Sequence, residues 1–249
     1  MRLDLYMVQA GIARSRTLAA KMIEGGHISV NGQVVAKPAQ KLREGDTVRV
    51  RRSELTEYVS RAGHKLAGAL DAFPEITVKG LFCLDAGAST GGFTDVLLRR
   101  GASRVAAVDV GHNQLVETIR HHPAVDVYEG LNVRNLSPDD IGGQAALTVS
   151  DLSFISLTKV VEPLAGATVP GGNLLLMVKP QFEVGPARIG KGGVVTDPVA
   201  RAEAVMKVRS AAQDAGLHMM GEQESPLPGR DGNVEFFLWL RKPAKVDRG

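Results

Sequence analysis

By residue type and place in the chain, Lys65, Asp151, Lys179 and Glu235 are the side chains best suited to chemistry. Asp151 closes the apolar run 147–150, Lys179 closes the run 175–178, and Glu235 stands near the start of the run 234–240. Lys65 comes one position before a helical stripe of Leu66, Leu70 and Phe73. Short apolar runs of this kind predict strands, and in a parallel α/β sheet the groups at strand ends are the ones that meet at a site. Two lysines and two carboxylates brought together could orient a hydroxyl and relieve it of its proton as it attacks an electrophilic carbon. Taken singly, each also fits a structural role: Asp151 as a helix cap, Lys179 as a strand-end charge, Glu235 as an edge-strand guard, Lys65 as a solvated helix residue. The convergence of all four is what points to catalysis.

A second constellation begins at Asp85. The stretch Asp85-Ala86-Gly87-Ala88-Ser89-Thr90-Gly91-Gly92-Phe93 reads as a glycine-rich turn from a strand into a helix, a place where a ligand can approach the backbone. Its spacing is neither G-x-G-x-x-G nor G-x-x-x-x-G-K-[ST], since an acid opens it and no lysine closes it. A carboxylate there disfavours a polyphosphate and suits a ligand with a cationic end, such as the methionine moiety of S-adenosylmethionine. Asp109 ends the next predicted strand, where its carboxylate can accept both hydrogen bonds of a ribose diol. Val133, within the segment Asn132 to Asn135, is the candidate contact to adenine, and Asp151 borders the same ligand. The Asp85 turn and Asp109 together resemble the first two motifs of the class I methyltransferases. S-adenosylmethionine is therefore the expected cofactor, and no metal site is expected.

The elements that must position these residues form two groups. From Leu81 onward, strand-sized apolar runs alternate with helix-length segments, which predicts an α/β, doubly wound, mostly parallel sheet. The last two runs are joined by a Pro/Gly loop without a helix, so the final strand should pair antiparallel. Residues 3–23 instead predict two short helices broken at Gly11, followed by small strands flanking Asn31-Gly32, a strong hairpin signal. The expected boundaries are a small α+β domain over 1–50, a linker over 51–60, the α/β domain over 61–243 and a tail over 244–249.

Charge is divided along the same line. Residues 1–60 hold ten lysines and arginines against six acids, a net +4, which leaves −1 for the remainder of a chain of net charge +3. A basic module joined to a near-neutral domain suggests a polyanion binder that delivers substrate. At 44% hydrophobic and 23% charged, the 249 residues exclude a disordered or fibrous chain. No apolar run approaches the roughly 20 residues of a membrane-spanning helix. The single cysteine, Cys83, precludes an internal disulfide, and Asp4 falls where a signal peptide would be apolar, so a cytoplasmic location is expected.

The N-terminal pattern, with Ala13-Arg14-Ser15-Arg16, Ile23-Glu24-Gly25-Gly26 and Val30-Asn31-Gly32, resembles the S4 RNA-binding fold. Arg2, Arg14, Arg16, Lys21, Lys37, Lys41 and Arg61 are the expected contacts to RNA. The order Lys65, Asp151, Lys179, Glu235 resembles the Lys-Asp-Lys-Glu tetrad of FtsJ/RrmJ-type ribose 2′-O-methyltransferases. With the segments 60–66, 151–156, 179–185 and 232–237 added, the chain is similar to the TlyA family nearly from end to end. The family carries both a haemolysin label and an rRNA cytidine 2′-O-methyltransferase activity. The resemblance implies a class I, Rossmann-like methyltransferase domain behind an S4 domain, with ribosomal RNA or ribosomal subunits as partner. Large-subunit rRNA is the expected substrate, with small-subunit rRNA added in members carrying short terminal extensions. It also implies Lys179 nearest the target hydroxyl, tuned by Asp151 and Glu235, with Lys65 orienting the ribose. The competing expectations are a pore-forming protein, which would need an amphipathic membrane element, and an RNA binder with an inactive methyltransferase domain. Base methylation is disfavoured, because Asp151-Leu152-Ser153-Phe154 lacks the two prolines of the amino-methylating motif.

Overall fold

The structure, a computed structural model, describes residues 1–13, 15–51 and 57–244. It separates into two compact units, Met1–Arg61 and Ala62–Gly249. Arg61 thus falls in the first unit rather than at the head of the second. Arg14 and linker residues 52–56 lie outside the described residues, as does nearly all of the tail.

In the first unit, helices α1 (Leu3–Gln9) and α2 (Arg16–Glu24) pack on a three-stranded antiparallel sheet of β1 (Ile28–Val30), β2 (Gln33–Val34) and β3 (Val48–Val50), in the order β2-β1-β3. The β1–β2 hairpin turns through Asn31 and Gly32, both at positive φ, as the Asn-Gly signal requires. Ser15 caps α2 by accepting from the Leu18 amide at 3.2 Å. Leu3, Met7, Met22, Ile23 and Ile28 close the core, each contributing about 1.5–3 kcal/mol of burial.

The second unit is built on a seven-stranded sheet. Its elements are α3 (Ala62–Ala72), β4 (Phe82–Ala86), α4 (Gly92–Arg99), β5 (Arg104–Asp109), α5 (Glu117–Arg120), β6 (Val125–Glu129), β7 (Ala145–Ser150), α6 (Val161–Gly166), β8 (Thr168–Val178), α7 (Pro180–Glu183), α8 (Pro198–Asp214), β9 (His218–Glu224) and β10 (Phe236–Arg241). The strand order is β6-β5-β4-β7-β8-β10-β9. β4 to β8 run parallel, and β10 is antiparallel to both β8 and β9. Leu84, Ala86, Leu174, Leu176, Leu238 and Leu240 face α6 and α8. On the opposite face Phe237 stacks against Phe93 of α4, and Trp239 meets Phe73 at the end of α3. Helices thus cover both faces, which is why the central strands are apolar throughout rather than alternating. The order reverses between β4 and β7, and ligands bind beyond the carboxyl ends of strands at such a switch. β8 is longer than its apolar run predicts, beginning at Thr168.

Candidate active site

The glycine-rich turn leaves β4 at that switch. Gly87 lies at φ 90°, and a Cβ there would come within 2.8 Å of the Asp151 carbonyl oxygen, so only glycine lets the end of β7 close on the turn. The amides of Gly87 and Ala88 donate to Val108 O at 2.8 and 3.0 Å, pinning the turn to β5. Gly91, at φ 95°, starts α4. A cavity of about 600 Å3 opens beside this turn, and Gly87, Ser89, Asp109, Val133 and Asp151 lie on its wall. Ala88, Gly91, Gly92 and Phe93 are buried behind the wall and Thr90 is half-buried, so they shape the turn rather than face the cavity.

Asp109 is already engaged by the turn. Its Oδ2 accepts from Ser89 N at 2.8 Å and its Oδ1 from Gly111 N at 2.7 Å, which leaves one lone pair on each oxygen for a ligand. Asp85 differs from the sequence expectation of a carboxylate at the mouth of the turn. It is fully buried, off the cavity wall, and Thr94 Oγ1 donates to its Oδ2 at 2.6 Å. Its Oδ1 is buried with no hydrogen-bond partner among the described residues. Desolvation, only partly offset by Thr94, pushes this carboxyl up to about 7.

The four candidate catalytic residues arrive as two ion pairs. Lys179 Nζ lies 2.6 Å from Asp151 Oδ1 and donates to Ser153 Oγ at 2.9 Å. Lys65 Nζ donates to Glu235 Oε2 at 2.5 Å, and both side chains are buried. This corrects the expectation that Glu235 tunes Lys179: the carboxylate is taken by Lys65. Pairing of Phe236 with Val178 carries Glu235 and Lys179 to the same end of the sheet. Packing is close nearby: a Cβ on Gly68 would meet Pro226 at 2.6 Å and one on Gly229 would meet Glu235 Oε1 at 2.6 Å. Asn233, two positions upstream, accepts from Val195 N and donates to Gly193 O, both at 2.9 Å, so the strand entry is bolted to a neighbouring loop.

Sequence reasoning missed Gln114 and Phe154. Gln114 lines the cavity and lies 3.3 Å from Ser89 Oγ. Phe154 is 90% exposed at φ 63°, with its ring 5.3 Å from that of Phe182. Left-handed backbone is normally signalled by Gly or Asn, so a phenylalanine there leaves no trace in sequence.

In the first unit Asp4 is buried and receives both Arg2 (2.9 Å) and Arg16 (3.0 Å). The Arg2 hydrogen bond, with help from Arg16, lowers its carboxyl to about 2. Two of the expected RNA contacts thus share one counter-charge, although both guanidinium groups remain about half exposed. Lys21, Lys37 and Arg61 are exposed, as is Lys41, whose backbone bridges to Arg2.

Comparison with known proteins agrees with this architecture. Residues 58–242 match the FtsJ-like methyltransferase family and residues 1–48 match the S4 domain. The chain belongs to the FtsJ-like methyltransferases. It is 49% identical over 240 residues to the 16S/23S rRNA (cytidine-2′-O)-methyltransferase TlyA of Mycobacterium tuberculosis, covering 96% of this chain and 89% of that one. Hemolysin A of Brachyspira hyodysenteriae is 38% identical over 237 residues, or 95% and 98% of the two chains. A solved structure from Streptococcus thermophilus, described as a candidate hemolysin, matches with a TM-score of 0.76 at 37% identity, covering 100% of this chain and 91% of that chain. These full-length matches place the chain in the TlyA branch of the family.

Proposed function

We propose that the protein transfers a methyl group from S-adenosylmethionine to the ribose 2′-hydroxyl of a cytidine in ribosomal RNA, in the cytoplasm. The observation that carries the reading is the Lys179–Asp151 pair, 2.6 Å apart, with Asp151 on the wall of a cavity that Gly87 of the glycine turn and Asp109 also line.

The residues present fit the cofactor. Gly87 brings bare backbone to the cavity wall where a Cβ would collide with the Asp151 carbonyl, Ser89 and Asp109 offer polar atoms, and Val133 supplies an apolar wall. Asp85, buried and off the cavity wall, can act on a cationic amino-acid end only through space and not by contact. When bound, S-adenosylmethionine supplies an electrophilic methyl carbon on a sulfonium.

The remaining work belongs to the chain. Lys179 holds the 2′-oxygen of the acceptor at the cavity edge, and the Lys179–Asp151 pair takes up the hydroxyl proton as the oxygen loses electron density to the new bond. Lys65, fixed by Glu235, orients the ribose from the other side. Phe154 presents an exposed aromatic face next to Ser153 and Lys179, on which the base of an unpaired nucleotide can stack. The S4 unit holds RNA through phosphates, with Arg2 and Arg16 set by Asp4 and Lys21, Lys37 and Lys41 exposed nearby in sequence.

The haemolysin names of two relatives suggest a different activity. Among the described residues no helix is long and apolar enough to cross a membrane. Mapping ribose methyl groups on rRNA from cells with and without this gene tests the proposal, with liposome leakage by the purified protein as the counter-assay. An unchanged rRNA map together with leakage would reverse the assignment.

A further inference from the structure

Lys179 and Glu183 stand at the two ends of α7, and both reach across to the segment 151–157. At one end Lys179 binds Asp151 and Ser153. At the other, the carboxylate of Glu183 accepts from Ser156 Oγ at 2.5 Å and from Leu157 N at 2.8 Å. The Glu183 side chain is buried, its backbone carbonyl accepts from Lys207 Nζ at 2.9 Å, and the same ammonium lies 4.0 Å from its Oε2 as counter-charge. Ser156 in turn caps the 3₁₀ turn Leu157–Lys159. Between the two attachments sits Phe154, an exposed phenylalanine in left-handed backbone, a conformation that persists only where its surroundings enforce it.

A buried carboxylate on two donors of one short segment does more than fill space. Asp151 Nα is anchored on Ala86 O at 3.1 Å, so the segment is fixed at its start by β4 and at its end by Glu183. Apart from the Glu183 attachment, the tie between 154–157 and α7 among the described residues is the ring pair of Phe154 and Phe182. We propose that Glu183 is a positioning residue for methyl transfer: by holding Ser156 and Leu157 it sets the segment that carries Asp151 and Phe154 against Lys179. This rests on the ribose-methylation reading and adds a residue to it.

The test uses the full-length protein in single-turnover transfer to its rRNA, normalised to the number of cofactor sites titrated. Glu183→Ala should lower kcat about 10- to 100-fold, the range expected for misplaced groups, with RNA KM changed far less. Ser156→Ala, which removes one of the two contacts to Glu183 and the cap on Thr158 N, should give a smaller loss in the same direction. Glu183→Gln should restore most of the rate, because its amide oxygen can accept from Leu157 N and its NH2 can donate to Ser156 Oγ. In an Asp151→Asn background the Glu183→Ala change should cost little more, since both act through one segment. A fully additive double variant, or a folded Glu183→Ala protein with kcat within twofold of wild type, would overturn the proposal. If Glu183→Ala does not fold, Ser156→Ala and Glu183→Gln decide: unchanged kcat in the first, or no activity in the second, also overturns it. Failure of the underlying reading shows separately, as wild-type protein that leaves the ribose unmethylated.

Discussion

Lys65 and Glu235, 170 positions apart, form a buried 2.5 Å ion pair, each the other's only ion-pair partner among the described residues. Removing one member of such a pair leaves an uncompensated buried charge, whereas replacing both with apolar groups is near neutral. Glu235→Ala should therefore destabilise the protein by about 3–5 kcal/mol, while Lys65→Met with Glu235→Leu should recover most of that stability and no methyl transfer. Urea unfolding beside the transfer assay separates the two effects.

Lys179→Ala should abolish transfer while cofactor binding survives, because the lysine is not on the cavity wall. Lys179→Arg should not rescue, since a guanidinium cannot give up its proton and its wider fork does not fit between Asp151 and Ser153. Asp151→Ala should weaken both steps. RNA with a 2′-deoxyribose at the target should accept no methyl group, and a methylated deoxy product would end the ribose mechanism.

Gly87→Val should eliminate cofactor binding, because a Cβ meets the Asp151 carbonyl at 2.8 Å and the backbone already sits at positive φ. Asp109→Ala should cost about 1–3 kcal/mol of binding by removing an acceptor that also orders Ser89 and Gly111. Calorimetric titration reads both.

Asp85 predicts a pH dependence with a definite sign. Its carboxyl is raised to about 7 in the folded protein from an ordinary 3.8, so the folded state binds more proton than the unfolded state between those values. Cofactor-free protein should lose stability as pH rises from about 4 to 7 and then level off. Asp85→Asn should remove that slope. A cationic ligand group in the cavity favours the ionised form of Asp85 through space, so cofactor binding below pH 7 should release a proton. Calorimetry in buffers of different ionisation enthalpy measures that release.

RNA affinity should fall with salt, and Arg16→Gln should flatten the log–log slope by about 0.7–0.9 if that guanidinium meets a phosphate. Asp4→Asn should instead disturb Arg2 and Arg16 together, since both depend on the one carboxylate. Filter binding across a salt series would show an unchanged slope for Arg16→Gln if the contact is wrong.

The parts of the site legible in sequence are those where backbone geometry restricts residue type. The Gly87–Gly92 turn and Asp109 stand out because close approach demands glycine and because the end of β5 faces the switch point. Strand alternation likewise reveals the sheet, and the Pro/Gly loop before β10 gives its reversed direction. The pairing of charges was not legible. Glu235 could serve either lysine, and only the folded structure shows it on Lys65. Burial of Asp85 and Glu183 depends on Thr94, Ser156 and Leu157, none of which has a sequence pattern that announces it.

β10 lies between β8 and β9 yet comes last in the chain, so the strand that Glu235 leads into is the last of the sheet to be synthesised. Lys65 leaves the ribosome among the first residues of its unit and waits, unpaired, for a carboxylate 170 positions later. A chain cut short anywhere before Glu235 carries a lysine that cannot be buried at neutral charge balance. Burial of Lys65 with its counter-charge therefore depends on the last part of the sheet to be made.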